Sequence, residues 1–169
     1  MENDMRNYRI VSAVAVLSLF LATLAASAQD KKDIEPNKIP KNVMDALKTK
    51  FPKAEIHKCT KEKEDGKVVY DIEFKQEGRK FEADITEAGV ITNWEKEIAA
   101  SDLPNAVKAA VEKKYPKSTL KDIMLCTDIK EGKETLHGYE ITLDTADKKA
   151  VEVTVAADGK ILEDSTEKK

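Results

Sequence analysis

One segment of the sequence occurs twice. Residues 40–53 (PKNVMDALKTKFPK) recur as residues 104–117 (PNAVKAAVEKKYPK), at a constant offset of 64, which is 104 minus 40. An internal repeat of this kind predicts two copies of one structural unit. A unit of roughly 60 to 70 residues buries too little surface to be stable alone, so we expect the two copies to share a core or an interface.

The repeated segment predicts a short amphipathic helix. Apolar side chains recur at every fourth position, which places them in one stripe along a helix. The first proline of each copy suits a helix start, where its missing N–H has no partner to lose. The second proline disfavours helix in the residue before it, so each helix should end at its aromatic residue. The stripe consists of Val43, Leu47 and Phe51 in the first copy, and of Val107, Val111 and Tyr115 in the second.

Apolar and polar residues alternate after each helix, which predicts antiparallel strands with one buried face. Tyr70, Ile72 and Phe74 begin this pattern in the first copy, and Gly78 provides the turn to the next strand. The turns divide each copy into four strands. The predicted strands span 55–63, 70–75, 80–85 and 90–95 in the first copy, and 120–130, 139–144, 151–155 and 160–164 in the second.

These elements predict an α+β fold made of two tandem repeats. The first repeat spans residues 39–100 and the second spans residues 101–169. Each repeat is expected to be one helix followed by a roughly four-stranded antiparallel sheet, with the helices on one side and a polar sheet face on the other.

The N-terminus has the composition of a secretory signal peptide. Arg6 and Arg9 precede an apolar run, and Ala26-Ser27-Ala28 forms a small-residue cleavage site. We predict that residues 1–28 are removed, that residues 29–38 form a disordered lead-in, and that the protein is periplasmic or secreted. The alternative is an uncleaved membrane anchor, although the apolar run is at the short end for a spanning helix.

Composition narrows the possible functions. Charged residues make up 36% of the sequence, both signs are interspersed, and the formal net charge is −3. Such a surface is well hydrated and lacks the basic patch of a nucleic-acid-binding protein. No Ser-His-Asp arrangement, phosphate-binding glycine loop, CxxC or HExxH motif occurs. We therefore predict a protein that is not an enzyme, has no cofactor, and contacts neither nucleic acid nor, after cleavage of the leader, a membrane.

The chain resembles the PepSY-like, β-lactamase-inhibitor-like family of exported bacterial proteins. The resemblance rests on the leader, the repeated Pro40–Lys53 segment, and strands that contain Tyr-acid-Ile at Tyr70 and Tyr139. The turns between strands at Gly89 and Gly159 also match the pattern of this family. The resemblance implies sheets that form one curved surface with the helices on the other side. It also implies a non-enzymatic binding or inhibitory role in the periplasm, with the sheet as the binding face.

The predicted binding face is acidic. A concave face with this charge would attract a basic peptide or a basic loop of an unknown protein in the cell envelope. The alternative is an ordinary solvated sheet face, because exposed strands normally carry charged residues. The acids on this side of the strands are Asp71, Glu73, Glu82, Asp84, Glu140, Asp144 and Glu152.

Trp94 is a further candidate contact, because tryptophan is enriched where partners bind most strongly. It is the only tryptophan, and the second copy has Asp164 in its place. The alternative is a role in the core or between the repeats, since large aromatic side chains are mostly buried.

Histidine and cysteine provide a second hypothesis, a protein that sequesters a small ligand or a metal ion. His57 and Cys59 lie two apart on a predicted strand, so their side chains should point the same way and, with the acids, begin a metal site. Zinc needs three or four ligands, which this pair alone does not provide. Cys59 and Cys126 could form a disulfide in an oxidising compartment, or remain two buried thiols.

Overall fold

The computed structural model describes residues 31–64 and 66–167, so the predicted signal peptide lies outside the described residues. Helix α1 spans Lys41–Lys50 and helix α2 spans Asn105–Lys114. Each helix follows directly on its proline, and the backbone N–H of the aromatic residue closes it. The buried residues of the helices are Val43 and Leu47 in α1, and Val107 and Val111 in α2, as the spacing predicts. Neither described helix is long and apolar enough to cross a membrane.

The strands form one antiparallel sheet in which their order follows the sequence from β1 to β9. All eight strands predicted from alternation are present, with slightly different ends. The strands are β1 (Lys32–Asp33), β2 (Glu55–Glu64), β3 (Lys67–Gln76), β4 (Arg79–Thr86), β5 (Ile91–Glu97), β6 (Thr119–Lys130), β7 (Lys133–Asp144), β8 (Ala150–Val155) and β9 (Ile161–Asp164).

The predicted fold class of two tandem helix-plus-sheet repeats is wrong. The protein is a single nine-stranded antiparallel sheet with two short helices, because β5 pairs directly with β6. The pairing runs from Asn93 opposite Asp128 to Glu97 opposite Met124, and we call this contact the seam. Without it, β5 and β6 would both be open edges with unpaired backbone groups, which proteins avoid.

The predicted disordered lead-in is also different in the structure, which describes its residues from Lys31 onward. Lys32–Asp33 forms strand β1 on the outer edge of β2. Ile34 packs against the core, and its backbone N–H donates to the carbonyl of Cys59 at 2.8 Å. The segment is therefore held by backbone pairing with β2, by the packing of Ile34 and by an ion pair between Lys31 and Glu62, although its composition alone is typical of disorder.

Both helices pack on the same face of the sheet. The α1 side chains contact Ile72, Phe74 and Ile85 in one cluster, and the α2 side chains contact Ile141 and Val153 in another. The β4–β5 and β8–β9 turns meet the helix starts so closely that a Cβ at Gly89 or Gly159 would lie 2.7 Å from a helix carbonyl oxygen. This contact explains why both turns contain glycine.

Candidate binding face

The sheet face opposite the helices, which we call the open face, carries acids on neighbouring strands. Glu73 on β3 lies opposite Glu82 on β4, and Glu82 lies opposite Glu95 on β5. Asp71 and Asp84 form a second acidic pair one step along β3 and β4. Like charges directly opposite one another destabilise a sheet. The arrangement therefore works against the stability of the fold.

A few donors partly offset this charge. Lys80 Nζ lies 2.9 Å from Glu82 and 3.0 Å from Asp122, and its pKa is raised because these acids outweigh the effect of burial. The Asn93 side chain donates to Asp84 at 2.7 Å. At the β2 side of the face, Lys58 pairs with Glu73 at 3.0 Å.

Two carboxyl groups beside the seam are held largely in the neutral form. Burial, followed by the charges of Glu82 and Asp84, raises the pKa of Glu95 to about 8. Burial, followed by the charges of Glu95 and Glu152, raises the pKa of Glu140 to about 9. Both shifts have the direction expected of acids moved away from water and toward other acids.

Asp71 is a third carboxyl of this kind. Burial and then the charge of Asp84, its cross-strand neighbour, raise its pKa to about 8. The open face therefore carries less negative charge at neutral pH than its count of acids indicates. It can become more negative when a cation compensates these groups.

A recess of about 10 Å³ lies next to Glu95 on the open face. This volume is about that needed for one water molecule. Glu95 is only 3% exposed, and its Oε2 atom is buried without a hydrogen-bond partner. The recess collects residues from five consecutive strands across the seam: Glu95, Cys126, His137, Glu140, Thr154 and Glu163.

The seven acids predicted from alternation all belong to the open face, because the strand register keeps their positions in phase. They are not equally accessible. Glu140 is 7% exposed, whereas Asp144 lies near the end of β7 and pairs with Lys121 at 2.9 Å. The structure thus brings Glu82 and Glu140 near the recess and places Asp144 away from it, among the outer ion pairs.

Trp94 lies on the other face, beneath the helices. Its ring centroid is 6.0 Å from that of Phe51 and 6.4 Å from that of Phe81, and Lys50 Nζ lies 5.3 Å from it. Its cross-strand neighbour is the core residue Ala83. The structure therefore separates Trp94 from the acids. Its position agrees with the alternative interpretation, a contact with the core.

The structure places His57 and Cys59 in different environments. The register of β2 shifts between Ile56 and Lys58, so His57 sits in a bulge and is exposed, whereas Cys59 lies in the core. The prediction that His57 and Cys59 point the same way is wrong, because a bulge reverses the alternation. Among residues 31–64 and 66–167, no three His, Cys, Asp or Glu side chains form a group that could hold a metal ion.

Both cysteines are free and buried, so the structure contains the two thiols rather than the possible disulfide. Cys59 packs in the first core cluster, and Cys126 lies opposite Glu95 on the open face. A bridge would have to pass through the sheet. Burial, and then the charge of Asp71, raises the pKa of Cys59 to about 12. Burial and the charge of Glu95 raise the pKa of Cys126 as well, so neither thiol is activated.

Sequence reasoning missed Glu95 and Cys126 as residues of the face. The alternation in β5 contained the signal for Glu95, because Asn93 and Glu95 must point away from Trp94. No local pattern indicates that Cys126 is its neighbour, since the two residues come together only through the β5–β6 pairing.

The sequence matches the profile of one protein family over residues 27–93 and again over residues 70–163. That family is described as "Putative beta-lactamase-inhibitor-like, PepSY-like". The chain belongs to this PepSY-like family. The match covers most of the sheet and both helices, and it confirms the resemblance found in the sequence.

Solved structures share the fold of this PepSY-like protein. A BLIP-like protein from Bacteroides fragilis has 23% identity and a TM-score of 0.53, with 77% of this chain and 89% of that chain covered. A DUF2874 family protein from Bacteroides uniformis has 16% identity and a TM-score of 0.58, with coverage of 74% and 87%. A protein from Bacteroides eggerthii, described as periplasmic, has 16% identity and a TM-score of 0.59, with coverage of 75% and 87%. No curated protein matches the chain.

Proposed function

We propose that this PepSY-like protein is an exported, non-enzymatic binding or inhibitory module that docks a basic segment of a protein or peptide on the open face of its sheet. The periplasm is the expected location, supported by the leader composition and by the description of the Bacteroides eggerthii relative. The family description as inhibitor-like supports a protein that binds rather than catalyses.

The observation that carries this proposal is the row of acidic residues on the open face. Glu73, Glu82 and Glu95 occupy facing positions on three adjacent strands. A sheet selected only for stability would place opposite charges or uncharged residues at such positions. Departures from the stable choice are expected at functional sites, and a basic ligand would supply the missing charges.

The remainder of the open face suits the same ligand. Both described α-helices pack on the opposite side, so within the described part of the chain neither helix covers the acids. Two lysines on this face are already engaged, since Lys58 pairs with Glu73 and Lys80 pairs with Glu82 and Asp122. Lys75 lies opposite Lys80 at the end of β3, and the acids on the face outnumber these three lysines. The face is therefore complementary in charge to a lysine- or arginine-rich segment rather than to an acidic one.

Charge reversal tests the proposal. The exported protein should be cross-linked to its partner in the periplasm, and the partner should then be titrated against the purified protein. We expect Glu82→Lys combined with Asp84→Lys to weaken binding at least tenfold, and added salt to weaken the wild-type complex.

The matched control reverses two acids on the helix side of the molecule. Asp45 and Glu112 are exposed positions of α1 and α2, so Asp45→Lys combined with Glu112→Lys makes the same change in net charge away from the open face. We expect this variant to bind normally. Equal loss of binding in both variants would mean that net charge alone, and not the open face, controls binding. Undiminished binding by the open-face variant would refute the proposal.

A further inference from the structure

We propose that the recess beside Glu95 is a subsite for the ammonium group of one lysine side chain from the docked segment. This inference rests on the proposed function and names the residue that would anchor the partner.

The first argument is the unsatisfied hydrogen-bonding capacity of Glu95. Its side chain is almost completely buried, at 3% exposure, and Oε2 has no hydrogen-bond partner. Buried carboxyl oxygens normally accept a hydrogen bond, because an unpaired one costs about 1–3 kcal/mol. Glu82 lies opposite Glu95 on β4, and Glu140 lines the same recess from β7, so two of the nearest side chains are also acids. A donor that carries positive charge would satisfy Glu95 Oε2 in these acidic surroundings.

The second argument is size. The recess measures about 10 Å³, which is room for one water-sized group. An ammonium group is compact and has three donors, whereas a guanidinium group is a broad planar fork that needs two aligned acceptors. The recess therefore favours lysine over arginine.

A metal ion fits this recess less well. Zinc and calcium need four or more ligands in a defined geometry. In the part of the chain that the structure describes, no set of three His, Cys, Asp or Glu side chains is arranged for a metal. An ammonium group needs only acceptors within hydrogen-bond distance, which two carboxyl groups and a hydroxyl can provide.

Charge around Glu95 decides how binding depends on pH. The cation on this part of β4, Lys80, is engaged by Glu82 and Asp122. The raised pKa values of Glu95 and Glu140 keep these groups mainly protonated at neutral pH. When an ammonium group binds, one carboxyl group therefore releases its proton to the solvent. The ammonium group then pairs with the carboxylate that remains. The titratable groups around Glu95 are Asp71 on β3, Glu82 and Asp84 on β4, Cys126 on β6, His137 and Glu140 on β7, and Glu163 on β9.

Calorimetric titration with hexalysine and hexa-arginine tests the subsite, since the two peptides carry equal charge. We expect the exported protein to bind hexalysine about tenfold more tightly than hexa-arginine. Binding should strengthen from pH 6 to pH 8, and its heat should vary with the ionisation enthalpy of the buffer because a proton is released. Glu95→Gln should remove the lysine preference and reduce the proton release, since Glu140 and Asp71 remain able to release protons.

Glu73→Gln is the matched control. It makes the same substitution in the same row of the open face, but Glu73 is paired with Lys58 and does not line the recess. Because Glu73 belongs to the acidic row, we expect this variant to bind both peptides somewhat more weakly but to keep the lysine preference and the proton release. Equal or tighter binding of hexa-arginine by the wild type, or a lysine preference that survives Glu95→Gln, would overturn the subsite while leaving the open face as a cation-binding surface. Failure of both peptides to bind would overturn the inference together with the proposed function.

Discussion

Two carboxyl groups of this protein are shielded from water and behave in opposite ways. Glu95 lies beside the seam with Glu82 and Glu140 as neighbours, and its pKa is raised to about 8. Asp164, on β9, has a side chain with 0% exposure, and its pKa is lowered to about 2. Shielding from water alone would raise both values.

The neighbours of Asp164 explain the difference. Lys114 Nζ lies 2.7 Å away, and the hydroxyl groups of Tyr115 and Thr166 donate at 2.5 Å and 2.6 Å. These bonds outweigh the effect of burial on the pKa of Asp164. Glu95 has a side-chain hydrogen bond with the Cys126 thiol, and its Oε2 atom has no hydrogen-bond partner among the described residues. We conclude that Asp164 is a completed structural ion pair, whereas Glu95 is a buried carboxyl group with one oxygen left unpaired.

The largest predicted effect is a loss of stability as the pH rises. Asp71, Glu95 and Glu140 have folded-state pKa values of about 8 to 9, well above the usual values of 3.8 and 4.5. Their contribution is fully present below about pH 4 and is lost as the pH rises toward 8 or 9, because the unfolded chain ionises first.

We expect the free energy of unfolding to fall by several kcal/mol between pH 5 and pH 9, because each of the three groups contributes up to about 1.4 kcal/mol for every pH unit over which only the unfolded chain ionises. Urea unfolding followed by circular dichroism at pH 5, 7 and 9 measures this change. A free energy that stays constant or rises over this range would show that these carboxyl groups are not held neutral.

Glu95→Gln should remove part of the fall in the free energy of unfolding at high pH. At pH 9 we expect the variant to be more stable than the wild type by about 1 to 2 kcal/mol, since the amide replaces an unpaired buried carboxylate. At pH 5 the two proteins should differ little, because Glu95 is then protonated. The same urea series on both proteins provides the measurement, and a variant that is destabilised at pH 9 would mean that Glu95 already has a partner.

Asp164→Asn should have a smaller effect in the opposite direction. A lowered pKa contributes stability above the unfolded value of 3.8, and this is lost as the pH falls toward 2. Because Lys114 is 27% exposed and water screens the pair, we expect the variant to lose only about 0.5 to 1 kcal/mol at pH 7. Acid titrations of both proteins between pH 5 and pH 2 should show a shallower decline for the variant. An unchanged acid transition would contradict the assignment.

The smallest predicted change is that of Glu73→Gln. The side chain of Glu73 is 33% exposed and pairs with Lys58, which is itself largely in water. We expect a change within about 0.5 kcal/mol at both pH 5 and pH 9. A pH-dependent stabilisation as large as that of Glu95→Gln would mean that the whole acidic row, rather than the recess, is under electrostatic strain.

Much of the local structure could be predicted from residue spacing. The four-residue spacing of Val43 and Leu47 predicted a helix with that buried stripe, and the alternation around Ile72 predicted a strand with one buried face. These patterns are reliable because side chains one period apart, about four residues in a helix and two in a strand, lie on the same face of the element. The position of the acids on the open face followed from the same rule.

The candidate site was less predictable. Alternation was interrupted at His57 by a bulge, and nothing in the local sequence specifies where a register shifts. Trp94 was placed among the binding residues by its residue type, although the phase of β5 puts it beneath α1 and puts Glu95 on the open face. Residue type was the weaker guide, because a tryptophan is suited to both a core and an interface.

The sequence by itself determined the periods, the turns, the buried stripes and the family. Only the tertiary structure decided that β5 and β6 pair, which joins the strands into one sheet and places Glu95, Cys126 and Glu140 around one recess. The physical reason is that side-chain period is a local property of the chain. The choice of a neighbouring strand, in contrast, depends on backbone groups and apolar surfaces that are distant in sequence and meet only when the whole sheet forms.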